Sequence, residues 1–325
     1  MIMKRFLVFS LLAAAALVLP QPARAQAYPS KPVRIICPFP PGGGVGITAR
    51  AIALELAKTL GQPVTVENRP GAGGNIAAAE VARAALDGHT LFLTLSSIHA
   101  ISPLVYSKLA YDPTRDFAFI TPLVAFNNVL VVNSAGPARS VQELIAQAKS
   151  QPGKLTFASS GNGTNVHLMG ELFKTMAGID IVHVPYKGSA PALTDLLGGS
   201  VTMMFDTIPS AVSQIRSGKL RALGVTGAKR SPLFPEVPAI AESGLPGYEA
   251  SAWYGLVAPA ATPKDIVAKL NAESIKGANG KEFRERMAPL GFEVLTGPPE
   301  RMAEMIKADV ARWTPVVKAS GARAD

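Results

Sequence analysis

The chain of 325 residues is long enough for two lobes of ordinary domain size, because one core of this length would be near its upper limit. The formal net charge of +9 favours anionic partners, but the Lys and Arg residues are scattered rather than clustered, so nucleic acid is a poor candidate partner. The single cysteine, Cys37, excludes an intramolecular disulfide and lies in the apolar run VRIIC, where we expect it to be buried.

The first 25 residues have the three-part layout of a secretory signal peptide. A short basic start precedes an apolar run at 6–19, which is too short to cross a bilayer as a helix. Small residues then provide a cleavage site after Ala25 or Ala27. We therefore expect export to the periplasm, with loss of three basic residues and a net charge reduced from +9 to +6. An uncleaved membrane anchor is the alternative.

Beyond this segment, short apolar runs rich in β-branched residues alternate with helical patterns. Ser140 and Glu143 form a capping box, and Thr262-Pro263 is a typical helix start. The alternation predicts an α/β fold in which mainly parallel sheets are flanked by helices. The predicted strands, in chain order, are 33–37, 64–66, 90–94, 129–133, 154–158, 181–184, 201–205, 221–226 and 254–259.

Two segments, which start at Asn128 and Tyr254, share a strand, a Pro/Ala turn and an amphipathic helix, as two lobes built on one plan would. A chain that leaves one lobe and later returns would have crossovers near 125–130 and 220–227. We therefore assign 28–126 plus 224–318 to lobe I and 127–223 to lobe II, and we expect a frayed tail at 319–325.

The strongest candidate binding feature is the loop PFPPGGGVGITAR at 38–50, between a predicted strand and a helical pattern. Its glycines Gly42, Gly43 and Gly44 allow a tight turn that exposes backbone N–H groups at a helix start. Unpaired N–H groups and the helix dipole favour an anion there, although a merely tight turn is the alternative interpretation. The spacing does not satisfy GxGxxG, and the sequence contains no GxxxxGK followed by Ser or Thr, so nucleotide binding is not indicated.

Two further loops follow predicted strands and have similar chemistry. One is SSGNGT at 159–164, and the other is the serine pair of LTLSSIH at 93–99. They offer hydroxyls and flexible backbone but no Lys or Arg, so dipoles, hydroxyls and bridging waters would hold an anion. Loops at the carboxyl ends of parallel strands are where open α/β sheets bind ligands. The candidate residues are Ser96, Ser97, Ser159, Ser160, Gly161, Gly163 and Thr164.

Catalytic and metal-binding patterns do not assemble, and we expect neither a metal nor a cofactor. The chain has 4 histidines and contains no GxSxG or HExxH motif. His167 and Glu171 are four residues apart on a predicted helix, but without a third ligand nearby a helix-packing pair is favoured over a metal site. His183 suits a core position in a strand. Asp206 ends the run VTMMF, where it would either face a cleft or be a simple turn acid.

Several segments in a fixed order carry a resemblance to a known family. They are YPSKPVRIICPFPPGGG at 28–44, VENRPGAGGNIAAAEVA at 66–82, DGHTL at 87–91, VPYKGSAPALTDLLGG at 184–199, VTMMFDTIPS at 201–210 and WYGLVAPAATP at 253–263. With these segments the chain resembles the substrate-binding proteins of tripartite tricarboxylate transporters, the Bordetella uptake gene family. The resemblance implies a monomeric periplasmic binding protein of type II topology, which captures a small carboxylate between its lobes for integral membrane permease subunits.

The resemblance also implies which positions contact the ligand. The carboxyl-holding role falls on the loop 42–44, on Ser96 and Ser97, on the loop 159–164 and more weakly on Asp206. The expected side walls are Phe39, Phe205, Trp253 and Tyr254.

One departure from the family bears on the ligand. Relatives commonly have Thr-Asp after the glycines, where this chain has Val45-Gly46. The loss of that acid either relieves repulsion of a second negative group on the ligand or removes a partner for a ligand's amine, so amino acids become less favoured. A ligand-binding sensor that feeds a signalling receptor is one alternative function, and a periplasmic serine hydrolase using Ser96 or Ser160 is another. The residues leave open which carboxylate is bound.

Overall fold

The structure is a computed structural model that describes residues 28–324, so the predicted signal peptide and both cleavage positions lie outside the described residues. The described strands are β1 (Val33–Cys37), β2 (Val64–Asn68), β3 (Thr90–Leu95), β4 (Phe117–Asn133), β5 (Thr156–Ser159), β6 (Val182–Pro185), β7 (Met203–Thr207), β8 (Leu220–Val225), β9 (Ser251–Pro259) and β10 (Phe292–Val294). The helices are α1 (Gly44–Leu60), α2 (Asn75–Ala82), α3 (Ser96–Ala100), α4 (Ser102–Val105), α5 (Val141–Ser150), α6 (Asn165–Ala177), α7 (Ser189–Leu197), α8 (Ile208–Arg216), α9 (Lys264–Asn279), α10 (Lys281–Met287) and α11 (Pro299–Ser320). Within 28–324, no helix has the length and apolar character needed to cross a membrane.

Two sheets share the long strand β4, which runs through both lobes. Its first part pairs with β9 and β10, and its second part, from Asn128, pairs with β7 and β8. The sheet of lobe I has the order β2-β1-β3-β9-β4-β10, and the sheet of lobe II has the order β6-β5-β7-β4-β8. In the sheet of lobe I, β9 arrives from lobe II and lies beside β3. In the sheet of lobe II, β4 arrives from lobe I and lies beside β7. The predicted α/β fold with two lobes on one plan is confirmed.

The sheets are mixed rather than mainly parallel. β1 pairs in parallel with β2 and β3, and β5 pairs in parallel with β6 and β7, as helical crossovers require. β4 and β9 run antiparallel to their neighbours, because each enters its sheet directly from the other lobe. The loops after β1, β3, β5, β6 and β7 all open at the boundary between the lobes.

The strand pattern decides which predicted side chains reach the boundary. Successive residues of β7 alternate between two core clusters of lobe II, with Phe205 in one and Met204 in the other. Phe205 is therefore a core residue, and its prediction as a side wall is wrong. Cys37 is fully buried in the core of lobe I, as expected, and burial raises the pKa of its thiol.

The segment 228–250 packs on lobe II, although the sequence assigned the chain from residue 224 onward to lobe I. Ile240 lies in a core cluster of lobe II, and the Tyr248 hydroxyl donates to the Met169 carbonyl at 3.0 Å. The chain returns to lobe I only at β9. Apolar residues lie among the prolines of this segment and pack against β8 and its neighbours. The segment therefore lies on lobe II rather than on lobe I.

Helix α11 forms a further connection between the lobes, which the sequence did not reveal. Met302 and Ile306 lie in the core of lobe I, whereas Trp313 lies in the core of lobe II. The residues after the helix were expected to fray, but the Ala324 N–H donates to the Val105 carbonyl at 2.9 Å. Val105 lies in a core cluster of lobe II although the sequence assigned it to lobe I, so the described tail packs on lobe II.

The two crossover segments meet in one seam of hydrogen bonds. The Asn128 N–H donates to Thr226 Oγ1 at 2.8 Å, and the Thr226 N–H donates to the Asn128 carbonyl at 2.9 Å. The Ala250 N–H donates to the Thr226 carbonyl at 2.8 Å. The two crossovers are therefore joined directly to each other by hydrogen bonds.

Candidate ligand-binding site

A pocket lies between the two lobes and includes about 620 Å³ of space up to its open mouth. Among the described residues that line it, none is Lys, Arg, His, Asp or Glu. A ligand in this pocket therefore contacts neutral groups.

Four helices of at least two turns begin at this pocket. They are α1 from lobe I and α6, α7 and α8 from lobe II. Because the first N–H groups of a helix have no partner within the helix, each start carries a partial positive charge. Among the described residues, no side chain caps α1, α7 or α8, so the first N–H groups that these helices have are without a capping partner. Pro191 in the first turn of α7 and Pro209 in the first turn of α8 supply no N–H. The residues at these four starts that line the pocket are Gly43, Gly44, Thr164, Asn165, Gly188, Ser189 and Thr207.

The three predicted glycines of lobe I have different roles. Gly42 has a φ of 104°, which favours glycine, and makes the turn without lining the pocket. Gly43 has a φ of −88° and a ψ of 167°, which any residue adopts. At Gly44, a Cβ would lie 3.0 Å from the Phe292 ring. Gly43 and Gly44 both line the pocket.

The two serines predicted after β3, Ser96 and Ser97, have different roles. Ser97 lines the pocket, and its buried hydroxyl has no hydrogen-bond partner among the described residues. Ser96 does not line the pocket; its Oγ accepts a hydrogen bond at 2.6 Å from Nδ2 of Asn165, which belongs to lobe II. Ser96 therefore joins the lobes rather than forming a wall.

The predicted loop of lobe II forms a hydrogen-bonded turn from which Ser160 and Thr164 line the pocket. Ser159 is fully buried and its Oγ accepts from the Gly161 N–H at 3.1 Å. The Thr164 hydroxyl donates to the Gly161 carbonyl at 2.7 Å and accepts from the first turn of α6. Gly163 lies outside the walls of the pocket. Ser159, Gly161 and Gly163 therefore shape the loop, while Ser160 and Thr164 face the ligand space.

A stacked pair of buried histidines supports this loop from behind. The rings of His167 and His183 lie 4.0 Å apart between centroids. The Gly163 N–H donates to His167 Nδ1 at 3.2 Å, and His183 Nε2 lies 2.7 Å from Ser159 Oγ. Burial lowers the pKa of His167 to about 4, and burial together with the neighbouring His167 lowers the pKa of His183 to about 3. Both rings are therefore neutral at neutral pH.

The histidines of residues 28–324 do not belong to a metal-binding cluster. His167 Nε2 lies 3.8 Å from Glu171 Oε1, and residues 28–324 contain no cluster of three or more His, Cys, Asp or Glu that could hold a metal ion. Neither Ser96 nor Ser160, the serines considered as nucleophiles, pairs with a histidine. Ser159 does, but its side chain is fully buried and does not line the pocket.

Two asparagines at the pocket were missed by sequence reasoning. Asn128 and Asn165 both line it, and the Oδ1 atom of each is buried with no partner among residues 28–324. Buried polar atoms are nearly always hydrogen-bonded, so such atoms indicate a ligand or water contact. Asn165 follows the predicted Thr164 directly. Asn128 interrupts the apolar run of β4 at the crossover. A polar residue at that position could have indicated a residue of the pocket.

Asp206 is buried behind the pocket rather than in its wall. Its Oδ1 accepts from the Ser189 hydroxyl at 2.6 Å and from the Thr207 N–H at 2.8 Å. Of the predicted side walls, Phe39 and Tyr254 line the pocket. Trp253 does not, because its Nε1–H donates to Asp309 Oδ2 at 2.8 Å on the other face of β9.

Known proteins are similar to this chain over almost all of its described length. The family described as tripartite tricarboxylate transporter family receptor matches residues 48–322. Protein BugT of Bordetella pertussis is 38% identical over 303 residues, which cover 93% of each chain. The structure of R. palustris Rpa4515 with adipate has a TM-score of 0.88 and 38% identity, over 91% of this chain and 99% of that one. MatC from Rhodopseudomonas palustris with bound malate has a TM-score of 0.84 and 37% identity, over 89% and 100%. The chain belongs to the tripartite tricarboxylate transporter receptor family.

Proposed function

We propose that this protein is an extracytoplasmic solute-binding protein that captures a small carboxylate between its lobes. The observation that carries the proposal is the convergence of four helix starts on one pocket, with no cationic side chain among the lining residues. Helix starts favour anions, because their N–H groups and their dipoles act in the same direction. Carboxylates are the anions found in the similar structures solved with adipate and malate.

The neutral walls suit reversible binding. Each helix start is equivalent to roughly half a positive charge, so four of them can offset one or two carboxylates. No buried ion pair forms, and the large desolvation cost of such a pair is avoided. The Ser97 hydroxyl can donate to a carboxylate oxygen, while the Oδ1 atoms of Asn128 and Asn165 can accept from a ligand hydroxyl or a bridging water.

The walls between the helix starts favour a ligand with an apolar middle. Val45, Phe126, Val166 and Tyr254 line this part of the pocket. Val45 stands where relatives commonly have a polar residue, and it is buried among apolar neighbours of lobe I. A dicarboxylate with an apolar spine, such as adipate, would place one carboxyl group against α1 and the other against the helix starts of lobe II.

Family membership and the N-terminal sequence support the remaining parts of the proposal. The family description supports a receptor role, and we propose that the protein acts without catalysis. The transporter class of that family supports delivery to integral membrane permease subunits. The basic start, apolar run and small-residue cleavage site at residues 1–25 support a periplasmic location.

The proposal is tested by thermal-shift and calorimetric titration of the protein without residues 1–25. The panel contains mono-, di- and tricarboxylic acids, adipate and malate included, with the corresponding amides as uncharged controls. A carboxylate at 100 times its dissociation constant should add roughly 2.7 kcal/mol to the free energy of unfolding, and its amide should add almost nothing. Stabilisation by none of the acids, or equal stabilisation by the amides, would contradict the proposal.

A further inference from the structure

Asp206 is a fully buried acid one residue away from the ligand space. Its side chain has 0% exposure, and its Oδ2 atom has no hydrogen-bond partner among the described residues. Its Oδ1 atom accepts from Ser189 and Thr207, which stand at the starts of α7 and α8 and line the pocket. An anion held by these two helix starts would therefore lie close to the Asp206 carboxylate.

We propose that Asp206 is a specificity-determining residue that takes up one proton when a carboxylate binds at the starts of α7 and α8. This inference rests on the proposed function. Two negative charges in one water-excluded site repel each other, and the lining residues include no cation that could separate them. The proton comes from solvent and adds to the unpartnered Oδ2 atom, while Oδ1 keeps its two donors.

No other group around Asp206 is placed to take up this proton. Burial raises the pKa of Asp206 to about 7, and the hydrogen bonds from Ser189 and Thr207 lower it. Tyr254 faces Asp206 from lobe I, but burial and the Asp206 charge raise its pKa well above the usual range, so its hydroxyl stays neutral. The titratable groups on the helices packed against β7 do not shift the pKa of Asp206; they are His167, Glu171 and Lys174 on α6, Asp195 in the last turn of α7 and Arg216 in the last turn of α8.

The arrangement sets the sign of the pH dependence. A carboxylate should bind more tightly as the pH falls toward 7, because the proton that must be taken up becomes more abundant. A ligand with an amine near Asp206 would favour the ionised acid and would bind more tightly as the pH rises. The protonation state of Asp206 therefore sets the preference, which shifts toward carboxylates as the pH falls and toward amine-bearing ligands as the pH rises.

The test is calorimetry with adipate between pH 7 and pH 9, where the carboxyl groups of adipate are fully ionised. Each pH is measured in two buffers with different heats of ionisation, which gives the number of protons taken up. The wild type should take up about half a proton at pH 7 and more at pH 8, and its dissociation constant should rise up to about tenfold per pH unit. Asp206→Asn should take up none and bind with little pH dependence.

A second variant tests the role of Asp206 in case Asp206→Asn folds poorly. Ser189→Ala removes the hydrogen bond that lowers the pKa of Asp206, so the rise in dissociation constant should move to higher pH. Adipate binding without proton uptake in the wild type, or with equal uptake in Asp206→Asn, would overturn the role of Asp206 and leave the proposed function intact. Failure of every acid in the panel to bind would instead contradict the proposed function itself.

Discussion

The two walls of the pocket offer an anion different kinds of groups. Lobe I presents mainly backbone, with Gly43 and Gly44 at the start of α1 and the Ser97 hydroxyl beside them. Lobe II presents hydroxyl and amide side chains at three helix starts, and the loop before α6 is tied to stacked histidines. A backbone wall cannot be weakened by truncating a side chain, but it can be blocked by adding one. A wall of side chains responds to single truncations, so the lobes should respond to opposite kinds of substitution.

The largest effect is expected from a charge added to the backbone wall. Gly43→Asp places a carboxylate where the ligand's own should lie, and binding should weaken more than about 100-fold. The backbone angles at Gly43 accept any residue, and a Cβ there would come no closer than 4.0 Å, to Ser210 Oγ, so the fold should persist. Gly43→Ala is the matched control and should bind within about threefold of the wild type. Calorimetry on both variants measures the difference, and unchanged affinity in Gly43→Asp would contradict the location of the site.

A second prediction tests the contact between the backbones of the two lobes. A Cβ at Gly73 of lobe I would lie 2.6 Å from the Asn162 carbonyl oxygen of lobe II. Gly73→Ala should therefore hinder closure and weaken binding by about tenfold or more, because only the closed state binds tightly. Gly61→Ala is the matched control, since Gly61 has a φ of 69° against 63° for Gly73 but no neighbour within 4 Å.

Both alanine variants should lose a similar free energy of unfolding from the left-handed backbone conformation. Only Gly73→Ala should lose affinity, and small-angle scattering at saturating ligand should show that it stays more open than the wild type. Equal affinity in the two variants would show that the lobes do not need this contact.

Truncation on the side-chain wall should have an intermediate effect. Ser160 lines the pocket and its hydroxyl makes no hydrogen bond within the described chain, so it is available to a carboxylate oxygen. Ser160→Ala should cost roughly 1.5–3 kcal/mol of binding free energy, or about 10- to 150-fold in affinity. Ser217→Ala, at the far end of α8, is the control and should bind as the wild type does. Affinity loss below threefold in Ser160→Ala would mean that lobe II also binds mainly through its backbone.

The smallest effect concerns the histidines behind the side-chain wall. His167 and His183 stay neutral in the folded protein, with pKa values lowered to about 4 and about 3, whereas the unfolded chain binds protons near pH 6.5. The unfolded state thus binds more protons between these values, and stability should fall as the pH drops from about 6.5 to about 4. Denaturant unfolding at several pH values should show a shallower fall for His183→Gln. An identical fall would mean that the pair does not stay neutral.

The sequence indicated those parts of the candidate site that have an unusual residue composition. Three consecutive glycines before a helical pattern located the start of α1, and SSGNGT located the start of α6. Ser189 and Thr207 were missed, because a serine or threonine after a strand reads as an ordinary helix cap. The sequence also could not separate Ser96 from Ser97, since their opposite roles depend on how α3 turns after β3.

The architecture was predictable to a similar degree. The alternation of strands and helices predicted two lobes, but the antiparallel entry of β4 and β9 depends on the chain crossing between sheets without a helix. The segment 228–250 was placed on the wrong lobe by the sequence, because its prolines hid apolar residues such as Ile240 that pack on lobe II. The residue pattern of helix α11 does not indicate that its two ends pack in the cores of different lobes.

The most direct test of the account is a crystal structure with the acid that binds most tightly in the panel. We predict one carboxyl group within hydrogen-bond distance of the first N–H groups of α1 and a second polar contact at the starts of α6, α7 or α8, with no Lys or Arg as partner. A carboxylate bound outside this pocket, or paired with a cationic side chain, would contradict it.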